Sequence, residues 1–231
     1  MCGRFTLITP AEALAEQFQL FEIPSLAPRY NIAPTQPVAA VRRVPGDGQR
    51  ELVLLRWGLV PFWAKDPGIG ARMINARSET VAEKPAFRAA FRRRRCLVPA
   101  DGFYEWRRLE RGKQPFYVRL RDERPFAFAG LWERWEGPDE TAIDSCTLLT
   151  TEPNDLIRPV HSRMPVILSP KDYDLWLDPG VQKVELLQPL LRPYPSEGML
   201  AYPISTWVNK PKNDSPRCIE PLTQSQKTLN L

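Results

Sequence analysis

The chain has 231 residues, of which 43% are hydrophobic and 26% charged, a composition that is typical of a globular protein and excludes a disordered polar chain. No apolar stretch approaches the ~20 residues needed to cross a bilayer, and Arg4, Glu12 and Glu16 interrupt any N-terminal secretory signal. The net charge is +5, and 24 arginines outnumber 8 lysines, which is compatible with nucleic-acid binding because guanidinium groups bind phosphates and stack on bases.

The first predicted element is a short helix near the N-terminus. Thr9 is the expected N-cap, Pro10 suits the first turn, and Glu12 completes a capping box. Leu14 and Phe18 then fall on one face, which we expect to pack against the core.

Strand-like runs dominate the rest of the chain and are rich in β-branched and aromatic residues. They are Val38–Val44, Glu51–Trp57, Cys96–Val98, Phe103–Arg107, Phe116–Arg121, Phe126–Trp132, Cys146–Thr150 and Pro165–Leu168. Two helices are predicted after them, near Pro170–Leu177 and Val181–Leu191. Many strands with few crossover helices predict a single α+β domain over residues 1–231, with a mostly antiparallel, barrel-like β core and peripheral helices. From about residue 210 the tail is polar, and we expect it to extend over the surface.

A run of four arginines, Arg92–Arg95, follows the apolar pair Phe87 and Phe91, whose spacing is typical of a helix. Cations at a helix C-terminus interact favourably with the helix dipole. The run is therefore interpreted as the end of a helix, and its part in nucleic-acid binding stays open.

The four cysteines lie far apart and form no C-x-x-C pair, and His161 is the sole histidine, so we predict no metal site. Cys96 and Cys146 lie in apolar runs and are expected to be buried core residues. Cys2 lies among polar and small residues and needs another explanation. Phosphate-binding glycine loops and a G-x-S-x-G nucleophile motif are absent from the sequence.

Removal of Met1 would make Cys2 the first residue, with a thiol and an α-amine on adjacent carbons. An α-amine has a pKa near 7.7–8.0, so about a quarter of it is neutral at pH 7.4, against about a thousandth of a lysine amine. An aldehyde can form a Schiff base with such an amine. The thiol can then add to the imine and close a five-membered thiazolidine ring.

Two further residues are candidates for proton transfer. Glu105 lies between Tyr104 and Trp106, and a carboxylate desolvated by aromatic rings has a raised pKa. The alternative is an exposed position on an alternating strand. His161 precedes Arg163, a pair that is typical of an anion site, although a lone histidine is more often structural.

Six segments together resemble one protein family. They are MCGRF at the start, PRYNIAPTQ from Pro28, RWGLVPFWAKD from Arg56, INARSET from Ile74, RCLVPADGFYEW from Arg95 and HSRMPVIL from His161. Their order and spacing resemble the SOS response-associated peptidase (SRAP) family over roughly the first 210 residues. The resemblance implies covalent capture of abasic sites in single-stranded DNA through a thiazolidine at the N-terminal cysteine, which shields the lesion.

The resemblance also implies a role for each site residue. Cys2 would be the nucleophile, Asn75 would orient the Cys2 amine or the sugar, Glu105 would carry protons, and His161 would stabilise the opened sugar or an adjoining phosphate. The DNA-binding residues would be Arg4, Arg77 and Arg163 on the backbone and Trp63 and Trp106 against bases.

No cofactor is required by this chemistry. The expected partner is single-stranded DNA with abasic sites, and we expect a monomer without membrane or metal partners, in a bacterial cytoplasm and on the nucleoid when bound to DNA. Two alternatives stay open. One is a thiol peptidase that pairs Cys2 with His161 and removes its own Met1, and the other is a non-covalent module that binds single-stranded DNA.

Overall fold

The computed structural model describes residues 2–44, 46 and 48–223, so residues 1, 45, 47 and 224–231 lie outside the described part. The chain forms the α+β fold that its sequence predicts. The strands are β1 (Phe5–Leu7), β2 (Arg29–Ile32), β3 (Pro37–Arg43), β4 (Arg50–Trp57), β5 (Asn75–Arg77), β6 (Arg95–Ala100), β7 (Gly102–Arg108), β8 (Lys113–Leu120), β9 (Phe126–Glu136), β10 (Ala142–Thr151), β11 (Met164–Pro165), β12 (Ile167–Leu168) and β13 (Met199–Pro203). The α-helices are α1 (Ala11–Phe18), α2 (Arg88–Arg93), α3 (Tyr173–Leu177) and α4 (Val184–Leu187).

Five strands close into a barrel. Around it, β10 pairs with β4, β4 with β3, β3 with β6, β6 with β9, and β9 with β10 again. All these pairs are antiparallel except β10 with β4. The barrel-like, mostly antiparallel core is therefore confirmed, and its long strands coincide with the predicted runs.

A second sheet has the strand order β13-β8-β7-β1-β2. Three of its strands, β1, β2 and β13, were not predicted, and neither was β5, which pairs in parallel with β10. These strands have three to five residues, too few for an alternating pattern to be recognised. Their positions are fixed by neighbouring strands.

The predicted helices are present at the expected positions, but the predicted cap of the first and the predicted length of the last are wrong. Leu14 and Phe18 of α1 are buried as expected, but Thr9 does not cap it, because the Thr9 hydroxyl donates to the Asp101 carboxylate instead. The helix predicted over Val181–Leu191 is only α4 followed by a 3-10 turn, since Pro189 has no amide N–H to continue it.

The part of the tail that the structure describes is anchored rather than loose. The Asn31 side-chain amide donates to the carbonyls of Val208, Lys210 and Asn213 at 3.1, 3.1 and 2.7 Å. Residues 208–213 thereby lie against β2, and Asn209 also accepts a hydrogen bond from Trp106 of β7. Within the described chain, no helix is long and apolar enough to cross a bilayer.

Candidate functional site

Cys2 lies in the segment that leads into β1. The Tyr104 amide donates to the Arg4 carbonyl at 3.0 Å, so this segment continues along β7. The Asn75 side-chain Nδ2 donates to the Cys2 carbonyl at 2.8 Å. Because β5 is in register with β10, with Asn75 beside Leu148, the barrel fixes the main chain of Cys2 from a second side.

The Cys2 thiol is fully buried, and its Sγ is 3.8 Å from the Arg4 carbonyl oxygen. Burial raises the pKa of this thiol well above its usual range, and the negative charge of the nearby Glu105 raises it further. The side chain is therefore a neutral thiol at neutral pH rather than a thiolate.

Glu105 is on β7, paired with Phe116 of β8, and its side chain is only 2% exposed. Burial raises the pKa of this carboxyl to about 7. Glu105 is thus buried and does not occupy an exposed strand position. A group with this pKa exists in both protonation states near neutral pH, so it can donate and accept protons in turn.

His161 lies in the loop between β10 and β11. Its Nδ1 lies 3.0 Å from the Arg163 amide nitrogen and 3.1 Å from the Arg163 carbonyl oxygen, so the main chain of Arg163 orients the ring. Burial lowers the pKa of His161, and the cations Lys113 and Arg163 lower it further. The imidazole is therefore mainly neutral at neutral pH.

Two of the predicted phosphate-binding arginines flank the end of β10. Arg77 ends β5 beside Thr150 and is exposed. Arg163 makes a bidentate ion pair with Glu79, at 2.5 and 3.0 Å, and also donates to the Thr150 carbonyl. This pairing lowers the pKa of Glu79. Arg163 is thus held in place, whereas Arg77 is presented to solvent.

Arg4 and Trp106 join the site to the C-terminal segment. Arg4 Nη1 donates to Asn31 Oδ1 at 2.7 Å and to the Val208 carbonyl at 2.9 Å, and its guanidinium lies 5.8 Å from the centre of the Trp106 ring. Trp106 Nε1 donates to Asn209 Oδ1 at 2.8 Å. These contacts give both residues a structural role, and their DNA contacts stay predictions.

Trp63 lies apart from this group, in the loop after β4, with 49% of its surface exposed. In the described chain it makes no hydrogen bond or ring contact with the residues around Cys2.

Sequence reasoning missed Lys113 and Asn209. Together with Trp106 they line an open cavity of about 410 Å³, and Lys113 is close enough to His161 to affect its pKa. Lys113 follows several charged residues at the start of β8, so nothing in the sequence distinguishes it. No three described His, Cys, Asp or Glu side chains are grouped so as to hold a metal ion.

Comparison with known proteins gives one consistent result. The family described as SOS response associated peptidase (SRAP) matches residues 1–211. The chain is 45% identical to "Abasic site processing protein YoqW" of Bacillus subtilis (strain 168), over 95% of this chain and 99% of the relative. It is 34% identical to "Abasic site processing protein HMCES" of Xenopus tropicalis, over 78% of this chain and 60% of the relative.

Solved structures show the same fold. A protein from Bacteroides thetaiotaomicron superimposes with a TM-score of 0.86 at 27% identity, over 96% of this chain and all of that one. A protein from Bordetella bronchiseptica superimposes with a TM-score of 0.75 at 28% identity, over 88% of this chain and 100% of the other.

Proposed function

Since the chain belongs to the SOS response associated peptidase (SRAP) family, we propose that it processes abasic sites in single-stranded DNA by covalent capture through Cys2. The observation that carries the proposal is the set of groups around Cys2: a buried neutral thiol, the Glu105 carboxyl with a pKa near 7, and the Asn75 amide bonded to the Cys2 carbonyl. The names of the relatives support the substrate class.

The first step is attack by the Cys2 amine, freed by loss of Met1, on the aldehyde carbon of the opened sugar. Formation of the C–N bond gives a carbinolamine, and its hydroxyl leaves as water once it is protonated. Glu105 supplies this proton, and the carboxylate that remains accepts one from the nitrogen. Asn75 Oδ1 is buried and accepts no hydrogen bond from any described residue, so it is available to orient the amine or a sugar hydroxyl.

The second step is ring closure by the thiol. The sulfur bonds to the imine carbon while its proton passes to the nitrogen, so no further atom is lost. The neutral state of the thiol suits this order, because the amine attacks first and the thiol acts only as the trap. His161, an imidazole with a lowered pKa, can form a hydrogen bond with an opened sugar hydroxyl or a phosphate group.

The remaining predicted contacts are with the DNA itself. Arg77 is exposed and free to bind a phosphate, and Trp106 borders the open cavity beside Lys113. In this proposal these residues orient the strand, while Arg4 and Arg163 stiffen the surrounding loops through their own bonds. The chain acts in the cytoplasm, and the captured lesion is shielded by the protein.

General thiol proteolysis is the second candidate and has less support. Cleavage of other chains needs a thiol that their peptide bonds can reach, but the Cys2 thiol is fully buried, and the Nδ1 of His161 bonds with the main chain of Arg163. Cleavage of unrelated peptides that is lost in Cys2→Ala would support it. A non-covalent binding module, the third candidate, would retain intact and abasic DNA equally under denaturing conditions.

Intact-protein mass spectrometry tests the proposal. After incubation with an abasic single-stranded oligonucleotide, the expected mass is that of the chain without Met1 plus DNA minus one water. Cys2→Ala should form no adduct that survives denaturation and should keep much of its salt-sensitive DNA affinity. A normal adduct yield in Cys2→Ala would contradict the mechanism.

The same spectra address the loss of Met1, which we assign to the chain itself. Self-removal predicts that Cys2→Ala keeps Met1. Loss of Met1 from this variant would instead indicate a cellular aminopeptidase.

A further inference from the structure

The arginine run at the end of α2 divides into two pairs with different surroundings. Arg95 is buried, and its guanidinium donates to five main-chain carbonyls, those of residues 91, 92, 176, 178 and 181. Arg94 pairs with the buried carboxylate of Glu133 at 2.6 Å. The side chains of these two arginines therefore bond to other groups of the protein.

Arg92 and Arg93 are exposed and line a groove of about 440 Å³ between α2 and the loop after β4. Arg93 makes one long contact, 3.4 Å from its Nε to the Oε1 of Gln182. Arg92 has no carboxylate within ion-pair distance in the described chain. Glu133 is the one carboxylate among the residues that line the groove, and Arg94 neutralises it. The groove therefore keeps two uncompensated positive charges.

An exposed aromatic ring forms the facing wall of the groove. Phe62 has 58% of its surface exposed, and Trp63 beside it has 49%. Paired guanidinium groups with an accessible ring are suited to a single nucleic-acid strand, since phosphates bind the cations and unpaired bases stack on the ring.

The position of this groove relates it to the site around Cys2. Its aromatic wall belongs to the loop of residues 58–74, which starts where the Gly58 amide bonds to the Cys146 carbonyl. The loop ends at β5, whose first residue, Asn75, holds Cys2. One loop thus connects the groove to the proposed capture site.

We infer that the groove between Phe62 and Arg92–Arg93 is a second contact for single-stranded DNA, which holds nucleotides flanking the abasic site. This inference rests on the proposed function and adds a separate binding subsite to it. The strand passes between the ring of Phe62 and the two guanidinium groups, outside the residues assigned to capture.

The test compares Arg92→Gln/Arg93→Gln with Arg121→Gln/Arg124→Gln, which removes two exposed cations in the turn after β8. Lys113 begins β8 near His161, so this turn is at the far end of the strand from the site. Binding of intact single strands of about 5 and about 20 nucleotides is measured by fluorescence anisotropy over a range of salt concentrations.

The groove variant should bind the longer strand about tenfold more weakly at low salt, with a salt slope reduced by about 1.4, and should bind the short strand normally. Phe62→Ala should weaken binding of the longer strand about fivefold or more, whereas Phe21→Ala, which alters another exposed ring, should not. Equal losses in the groove and control variants, or a loss in neither, would overturn the inference.

Adduct formation with a short abasic strand separates this inference from the proposed function. Both double variants should form it normally, because neither alters a residue around Cys2. If the unmodified protein forms no adduct, covalent capture itself is wrong. If the Arg92→Gln/Arg93→Gln variant forms normal adducts and binds the longer strand as tightly as the unmodified protein, only the second contact is wrong.

Discussion

The site around Cys2 and the groove beside Arg92 use polar residues in opposite ways. Around Cys2, burial sets the protonation states, since it raises the pKa of both Cys2 and Glu105. In the groove, the side chains of Arg92 and Arg93 are exposed to solvent. The buried site is therefore suited to controlling chemistry, and the exposed groove to controlling affinity that depends on salt.

This difference predicts which measurements respond to each region. Changes in the buried site should alter rates, adduct durability and the pH dependence of stability. Changes in exposed cations should alter DNA affinity and its salt dependence, with little effect on folding.

The largest effect is expected for Glu105→Gln. Glutamine keeps the shape of the side chain but cannot transfer a proton, so the rate of adduct formation should fall by about 10²- to 10⁴-fold. Single-turnover kinetics with abasic DNA measures this rate. Glu133→Gln, in another buried carboxylate outside the site, is the control and should react normally. Similar rates for the two variants would remove Glu105 from the mechanism.

A second prediction concerns the buried half of the arginine run. Arg95→Met keeps an apolar side chain but leaves the carbonyls that Arg95 binds without a donor, so the free energy of unfolding should fall by about 3–5 kcal/mol. Arg92→Met, three residues earlier and exposed, should change it by less than about 0.5 kcal/mol. Urea denaturation gives both values, and equal losses would contradict the division of the run.

The third prediction uses the raised pKa of Glu105. The folded protein holds this proton up to about pH 7, while the unfolded chain releases it near its ordinary value of 4.5. Stability is therefore lost as pH rises through this window, by on the order of 3 kcal/mol. Glu105→Gln should be no more stable than the unmodified protein at pH 4.5 and clearly more stable at pH 8. Parallel stability curves would show that Glu105 titrates normally.

Long elements of this fold were predictable and short ones were not. Alternating runs such as Phe103–Arg107 and Phe126–Trp132 carry their pattern over enough residues to be recognised. β1 and β5 have three residues each, and tertiary pairing forms them. The Thr9 cap was wrong because the carboxylate of Asp101, distant in sequence, takes the hydroxyl.

The site shows the same limit. The types of residue needed for aldehyde capture were visible in the sequence, and the structure places Asn75 and Glu105 beside Cys2. The sequence does not show which arginines are available to bind DNA. Arg4 and Arg163 resemble Arg77 in sequence, but the structure bonds them to other parts of the chain. The sequence likewise does not show that the first two arginines of the run are exposed and that the last two bond within the protein.

The smallest effect is expected for Arg77→Gln, at the exposed end of β5. Arg77 ends β5, two residues after Asn75 of the proposed capture site. Its side chain is nevertheless exposed to solvent. If one phosphate is bound there, the salt slope of binding to single-stranded DNA should decrease by about 0.7, with a few-fold loss of affinity. Adduct yield at saturating DNA should be unchanged, and Arg124→Gln should keep the normal slope. A large loss of capture rate at saturating DNA would instead mean that Arg77 acts on the reacting sugar. Exposure of a side chain would then not be enough to distinguish residues that bind DNA from residues that take part in the reaction.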